Sequence, residues 1–340
     1  MGTIWMPASH FASFFSERVG YKSGLALTRE ELVEHTGEVE VIAAALVAET
    51  DAPVRLHASE IEDAFQIVLH KLGRLETSFV GHGPTLLHVK YMKDPQKLFL
   101  FERVMWLLGA FHFDKGKRAL NDGFDRPRFL EFIQGEIPTE GIAIAVELID
   151  LIKLSEEASP WEWLSERQFD WVRPIELKKL FVSEELDAMY GTFFDQRFVD
   201  YLSANFAKIS SMHWRQFEAL AAEFFVREGF EVEIGPGRND GGVDIRVWDS
   251  GSRSDSPPAI LVQCKRQKAG VEKVVIKALW ADVVHEGATS GLIVTSSTLS
   301  PGAEAVRTSR SYPVRVADRA TLRGWIEQMR TPGRGVFLSA

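Results

Sequence analysis

The chain has 340 residues, of which 45% are apolar, 26% charged and 11% aromatic, a composition that supports a large core divided over two domains and argues against disorder. No run reaches the roughly 20 consecutive apolar residues of a spanning helix, because Gly141–Ile152 is broken by Glu147 and Asp150; the single cysteine, Cys264, excludes a disulfide framework and any zinc site needing two thiolates. The net charge of −9 argues against a broad phosphate-binding surface, but it is uneven: residues 201–340 carry 18 Lys and Arg against 15 Asp and Glu, whereas residues 1–200 carry 21 against 33.

Met1-Gly-Thr-Ile-Trp has no basic stretch followed by an apolar one, so a cytoplasmic location without membrane attachment is expected. The first 200 residues read as mainly helical. Apolar residues recur at three and four in Ile61–Leu75, Lys97–Phe113, Gly141–Leu154 and Glu184–Phe206. Breaks are expected at Gly81–Pro84, at Asn121–Pro127 and around Ser159-Pro160. Trp161, Trp163 and Trp171 lie in an acidic setting that suits packing better than base stacking. Gly81–Lys90 lacks the Gly-Lys-Ser/Thr of a nucleotide-binding loop. Lys115-Gly-Lys-Arg118, with Arg126 and Arg128, is the best basic cluster of this half, and a solvated loop explains it equally well.

From about residue 205 the pattern alternates. Trp214, Phe217, Leu220, Ala221, Phe224 and Phe225 predict an amphipathic helix over Met212–Glu228, closed by Gly229. Strands are expected at Phe230–Ile234, Val243–Trp248 and Ala259–Arg266, the last two forming a hairpin across the polar loop Asp249–Pro258. A helix at Val271–Gly287, a strand at Gly291–Thr295, a helix at Ser300–Arg310, a strand at Pro313–Val316 and a helix at Arg319–Met329 follow. The order αβββαβαβα is that of an α/β domain with a mixed sheet. Domain limits are therefore set at 1–204 and 205–330, with 331–340 as a tail.

Asp244 follows two glycines that allow a tight turn. Gln263 and Lys265, two apart on the partner strand, share a face. An antiparallel hairpin lets Asp244 lie across from them, so a carboxylate, an amide oxygen and an ammonium converge. That set suits metal-assisted phosphodiester hydrolysis: a hard cation takes oxygen ligands, polarises the phosphoryl oxygen and activates water, and the lysine orients that water or stabilises the developing charge. Glu218, on the preceding helix, is placed to support the metal or a second cation. Arg238, Asn239, Arg266 and Lys268 flank the site as candidates for phosphate contact. Asp240 reads as a turn residue, Cys264 as a small core residue and His285 as a helix-end histidine.

Trp214-Arg-Gln-Phe-Glu218, Gly235-Pro-Gly-Arg-Asn-Asp-Gly-Gly-Val-Asp-Ile245, Val262-Gln-Cys-Lys-Arg266 and Gly291-Leu-Ile-Val-Thr-Ser296 with Ala303 resemble the catalytic domain of Mrr-like restriction endonucleases, in the PD-(D/E)xK nuclease superfamily. The resemblance covers about residues 205–330. It implies a restriction-endonuclease-like αβββαβ core in which glutamine replaces the second acidic ligand. Asp244 and Gln263 then ligate Mg²⁺, with Mn²⁺ as the alternative; Lys265 is the catalytic lysine and Glu218 the helix glutamate. It also implies DNA as partner and cleavage of foreign or modified DNA as antiphage defence. The Ser/Pro-rich loop before Ala259 departs from the commonest pattern and reads as a surface insertion. A structure-specific repair nuclease and a DNA-binding protein that does not cut remain alternatives. So does an effector held silent until a protein or small ligand binds the N-terminal domain. Residues 1–204 are expected to serve specificity, partner binding or assembly into a homodimer or larger oligomer.

Overall fold

The computed structural model describes residues 2–37, 39–48, 52–114, 125–161, 171–237, 242–253 and 256–330. The chain forms two compact units. One comprises Met1–Lys22, Thr28–His70 and Leu75–Val172, the other Ser23–Leu27, Lys71–Arg74 and Arg173–Ala340.

Among its described residues the first unit is mainly helical, with an antiparallel pair of strands, Thr3–Pro7 and Pro53–His57. Each strand runs directly into a helix that opens Ala-Ser, Ala8–Ser23 and Ala58–Lys71. The long helices Pro95–Asp114 and Thr139–Glu157 bury one shared core, in which Phe101, Val104, Phe111, Phe129, Ile144 and Leu148 pack together. Their apolar three-four spacing dictates this arrangement. Arg126 is held by Asp150 at 2.7 Å, and the backbone of Arg128 is bonded to the cap residue Asp125. Residues 115–118, and with them Lys115–Arg118, lie outside the described residues, as does Trp163. No described helix is long and apolar enough to cross a membrane.

The second unit carries a five-stranded sheet. Its elements are α1 (Trp214–Arg227), β1 (Glu231–Ile234), β2 (Ile245–Trp248), β3 (Ile260–Lys265), α2 (Lys273–Glu286), β4 (Ser290–Thr295), α3 (Pro301–Ser309), β5 (Val314–Ala317) and α4 (Arg319–Met329). The spatial order follows the chain, β1-β2-β3-β4-β5. The first three strands are antiparallel neighbours, and β3, β4 and β5 are parallel. The antiparallel neighbours are joined by the loops 235–244 and 249–259, while the parallel steps require the crossover helices α2 and α3. Leu261 and Ile293, from the central strands, pack against Ile276, Leu279 and Val283 of α2. The αβββαβαβα order predicted from sequence is the order observed, with boundaries shifted by one or two residues.

One helical expectation fails. Only Gln196–Ala204 of the segment Glu184–Phe206 is a regular helix. The amide groups of Thr192, Phe193 and Phe194 instead donate to the Glu223 carboxylate of α1 at 2.8, 2.8 and 3.2 Å. Met189 and Tyr190 donate to Asp195. Backbone donors committed to distant carboxylates cannot serve a helical ladder. Beyond the helix, a tight turn at Phe206–Ser211 leads to α1.

Candidate active site

β2 begins, and β3, β4 and β5 end, at the same edge of the sheet. The hairpin register pairs Ile245 with Val262, and the Asp244 amide donates to the Val262 carbonyl at 3.0 Å. Extending that register by one residue sets Asp244 opposite Gln263. Asp244 Oδ2 accepts from the Cys264 amide at 2.6 Å, so its carboxylate lies against β3, as an antiparallel hairpin allows.

Gln263 is buried, with 6% of its surface exposed. Its Nε2 donates to the Gly242 carbonyl at 2.8 Å, which fixes the orientation of the amide. Gln263 Oε1 is buried and has no hydrogen-bond partner among the described residues. A buried, unpaired amide oxygen costs about 1–3 kcal/mol, and one directed by its own amide group is a ready oxygen ligand for a hard cation. Gly242 has φ of 97°, and an added Cβ there would stand 3.3 Å from Gln263 Nε2. A side chain at that position is strained by the backbone and crowds the amide.

Lys265 ends β3. Thr295 Oγ1 and the Ser296 amide donate to its carbonyl at 2.8 and 3.4 Å, so the backbone that presents the lysine is fixed from β4. Lys265 forms no ion pair with the described residues. Glu218 lies one turn into α1 and is only 5% exposed, although its spacing alone reads as a solvated helix position. Arg215 Nη1 donates to its Oε2 at 2.9 Å. This partner was not identified from the sequence, yet the i,i+3 spacing of opposite charges is its signal.

Burial pushes the Cys264 thiol well above its ordinary range. The carboxylates of Asp244 and Glu218 add to this effect, and Lys265 opposes it. Asp244, Lys265 and Glu218 come from different elements and all lie near enough to bear on this thiol. Cys264, partly exposed as a residue, carries a thiol held protonated and unreactive.

Arg266 is exposed and donates to the Ser210 carbonyl at 3.2 Å; Lys268 is exposed on the loop after β3. Arg238, Asn239 and Asp240 lie outside the described residues. His285 sits in the last turn of α2. Among the described residues no three His, Cys, Asp or Glu side chains form a metal-binding group. The oxygen set available to a cation is Asp244, the Gln263 amide and, from α1, Glu218. It contains one amide and two carboxylates, a composition that suits Mg²⁺ or Mn²⁺ better than thiolate-seeking metals.

Residues 209–326 match the family model Mrr_cat, described as restriction endonuclease. All four candidate residues fall within the match. Among solved structures the chain is similar to the MspJI restriction endonuclease in complex with a 27-mer oligonucleotide. The identity is 24%, over 41% of this chain and 32% of that one, with a TM-score of 0.29. The similarity thus spans about a third of that chain's length. No match was found among curated proteins.

Proposed function

We propose, from the premise that residues 209–326 form a restriction endonuclease domain of the Mrr type, that the protein is a metal-dependent DNA endonuclease acting in the cytoplasm to restrict foreign or modified DNA, as antiphage defence. The observation that carries this reading is the orphaned, buried Gln263 Oε1 beside Asp244, on the strand that also presents Lys265.

Asp244 and Gln263 Oε1 are the residues that hold the cation, with Glu218 in support; Mg²⁺ is the proposed ion and Mn²⁺ the alternative. A divalent cation at such a site supplies Lewis-acid polarisation of the phosphoryl oxygen and activates water near neutral pH. The remaining work falls to the chain. Lys265 holds its ammonium toward the attacking water and the non-bridging oxygen on which negative charge grows. Such a charge is worth more at the transition state than in the ground state. Arg215 orients Glu218 through their 2.9 Å bond. The Gly242 carbonyl takes up the Gln263 Nε2 hydrogen bond, which leaves the amide oxygen as the atom that would hold the ion. The products expected are a 5′-phosphate and a 3′-hydroxyl.

Residues 1–204 are proposed to supply target specificity, partner or ligand binding, or assembly into a homodimer or larger oligomer, since double-strand cleavage needs two active sites or two successive nicks. The test is plasmid cleavage by the full chain on modified and unmodified DNA, beside a branched duplex, in Mg²⁺ or EDTA. Metal-dependent cutting favouring modified plasmid is expected. Preference for the branched duplex overturns restriction in favour of repair. Equal binding with and without Mg²⁺ and no cutting of any substrate overturns the enzyme.

A further inference from the structure

We propose that Arg266, Arg319 and Arg323 form a phosphate-gripping cluster that holds the backbone of the DNA strand beside the bond to be cut; the proposal rests on the nuclease reading above. The three guanidinium groups come from β3's end and from α4, and they meet at the turn Phe206–Ser211. Arg319 and Arg323 both stack on Phe206, with their guanidinium carbons 4.9 and 4.5 Å from the ring centroid. Phe206 itself is buried. Arg319 Nη1 also donates to Ser210 Oγ at 3.0 Å and to the Ser296 carbonyl at 3.5 Å, while Arg266 donates to the Ser210 carbonyl.

None of the three arginines pairs with a carboxylate among the described residues; every bond they make goes to a ring, a hydroxyl or a carbonyl. Arg319 and Arg323 stand four apart on one helix face, where like charges repel. Two cations sharing one ring, neither neutralised, form an arrangement that an anion stabilises. Stacking also restricts both side chains before binding, which reduces the ordering cost when a phosphate arrives.

Position identifies the anion. Arg266 follows Lys265 directly, and the Ser296 amide donates to the Lys265 carbonyl while the Ser296 carbonyl accepts from Arg319. The cluster therefore continues the sheet edge that carries Lys265. Phosphates along one DNA strand recur every few ångströms, so a strand held with one phosphodiester at Lys265 lays its neighbours along this edge. These contacts position the strand and do not read its sequence.

The experiment is equilibrium binding of the full chain to a duplex in EDTA, over a range of salt concentrations. The proteins are wild type, Arg319→Gln, Arg323→Gln, Arg323→Lys and, as control, Arg310→Gln. Arg310 follows α3 at the opposite edge of the sheet and bonds to the Tyr312 hydroxyl. Each glutamine variant in the cluster is expected to reduce the slope of log K against log salt by about 0.9, and affinity near 0.15 M salt by about fivefold. Arg323→Lys and Arg310→Gln should keep the wild-type slope. Arg323 is exposed, so its variants test the charge without disturbing the core. Wild-type slopes in both glutamine variants, with DNA still bound in EDTA and cut once Mg²⁺ is added, overturn the cluster and leave the nuclease reading standing. Failure of the wild type to bind DNA overturns both.

Discussion

At residue 263 a glutamine does two tasks that a carboxylate cannot do together. Its nitrogen satisfies the Gly242 carbonyl and its oxygen stays unpaired. Glutamate there would set an acceptor against that carbonyl and a second carboxylate near Asp244, a buried repulsion that only a cation relieves. Gln263→Glu is therefore expected to lower stability in EDTA by about 1–3 kcal/mol, and to gain more from added Mg²⁺ than wild type does. Thermal melts of both proteins with and without Mg²⁺ check this. An equal Mg²⁺ shift in the two would remove the residue from the ligand set. The choice of residues at this site was legible in the sequence because Asp244, Gln263 and Lys265 obey strand alternation. The orphaned oxygen was not, since it depends on which way one amide is turned by a carbonyl 21 positions away. Nor was the burial of Glu218, because helical spacing does not reveal that a neighbouring element covers a polar position.

At the scale of elements, the helix Gln196–Ala204 is joined to the sheet domain by buried polar contacts. Gln196 Nε2 donates to Asp200 at 3.0 Å and to the Met329 carbonyl, and Arg227 donates to Gln196 Oε1. Burial raises the Asp200 carboxyl to about 6, against the opposing effects of Gln196 and Arg74. Between about pH 4 and 6 the folded chain keeps a proton that the unfolded chain has lost, so this group makes stability fall as pH rises through that window, by about 3 kcal/mol in all. The cost is complete above the folded value. Asp200→Asn should flatten that part of the profile, and urea unfolding at several pH values from 4 to 8 measures the difference. A variant whose profile parallels wild type would contradict it. The sheet strands and their crossovers were readable from alternation and loop length. Residues 184–195 were not, because their periodic apolar side chains resemble a helix face while the amides of Thr192, Phe193 and Phe194 bond to Glu223, about thirty residues on. A lone Gly73 shows the same limit: at φ 79° its α-carbon stands so close to Asp200 that a Cβ would lie 2.0 Å from the Asp200 carbonyl oxygen, a contact between residues 127 apart that no local pattern announces.

For the whole molecule, the sheet domain draws on chain well before residue 205. Ile175 pairs with Leu25, and Arg197, buried with Asp195, donates to the Gly24 and Arg173 carbonyls. A fragment of residues 205–340 loses every amide that satisfies Glu223, leaving a buried carboxylate with only Arg227. A fragment of residues 173–340 keeps them. The longer fragment is expected to melt cooperatively and the shorter one to be soluble only poorly or to melt far lower, since breaking a buried charged network costs about 3–5 kcal/mol; differential scanning calorimetry separates the two, and equal melting temperatures would count against this dependence. Asp244, Gln263 and Lys265 are proposed to form one metal-dependent phosphodiesterase site. The most direct test is single-turnover cleavage of an end-labelled duplex by the full chain in Mg²⁺ and in EDTA, for wild type and Lys265→Ala. Wild type is expected to cut in Mg²⁺ alone, with a rate about 10²–10³ lower for Lys265→Ala and an unchanged melting temperature. Cutting that persists in EDTA, or that proceeds at the wild-type rate without Lys265, would contradict the proposal.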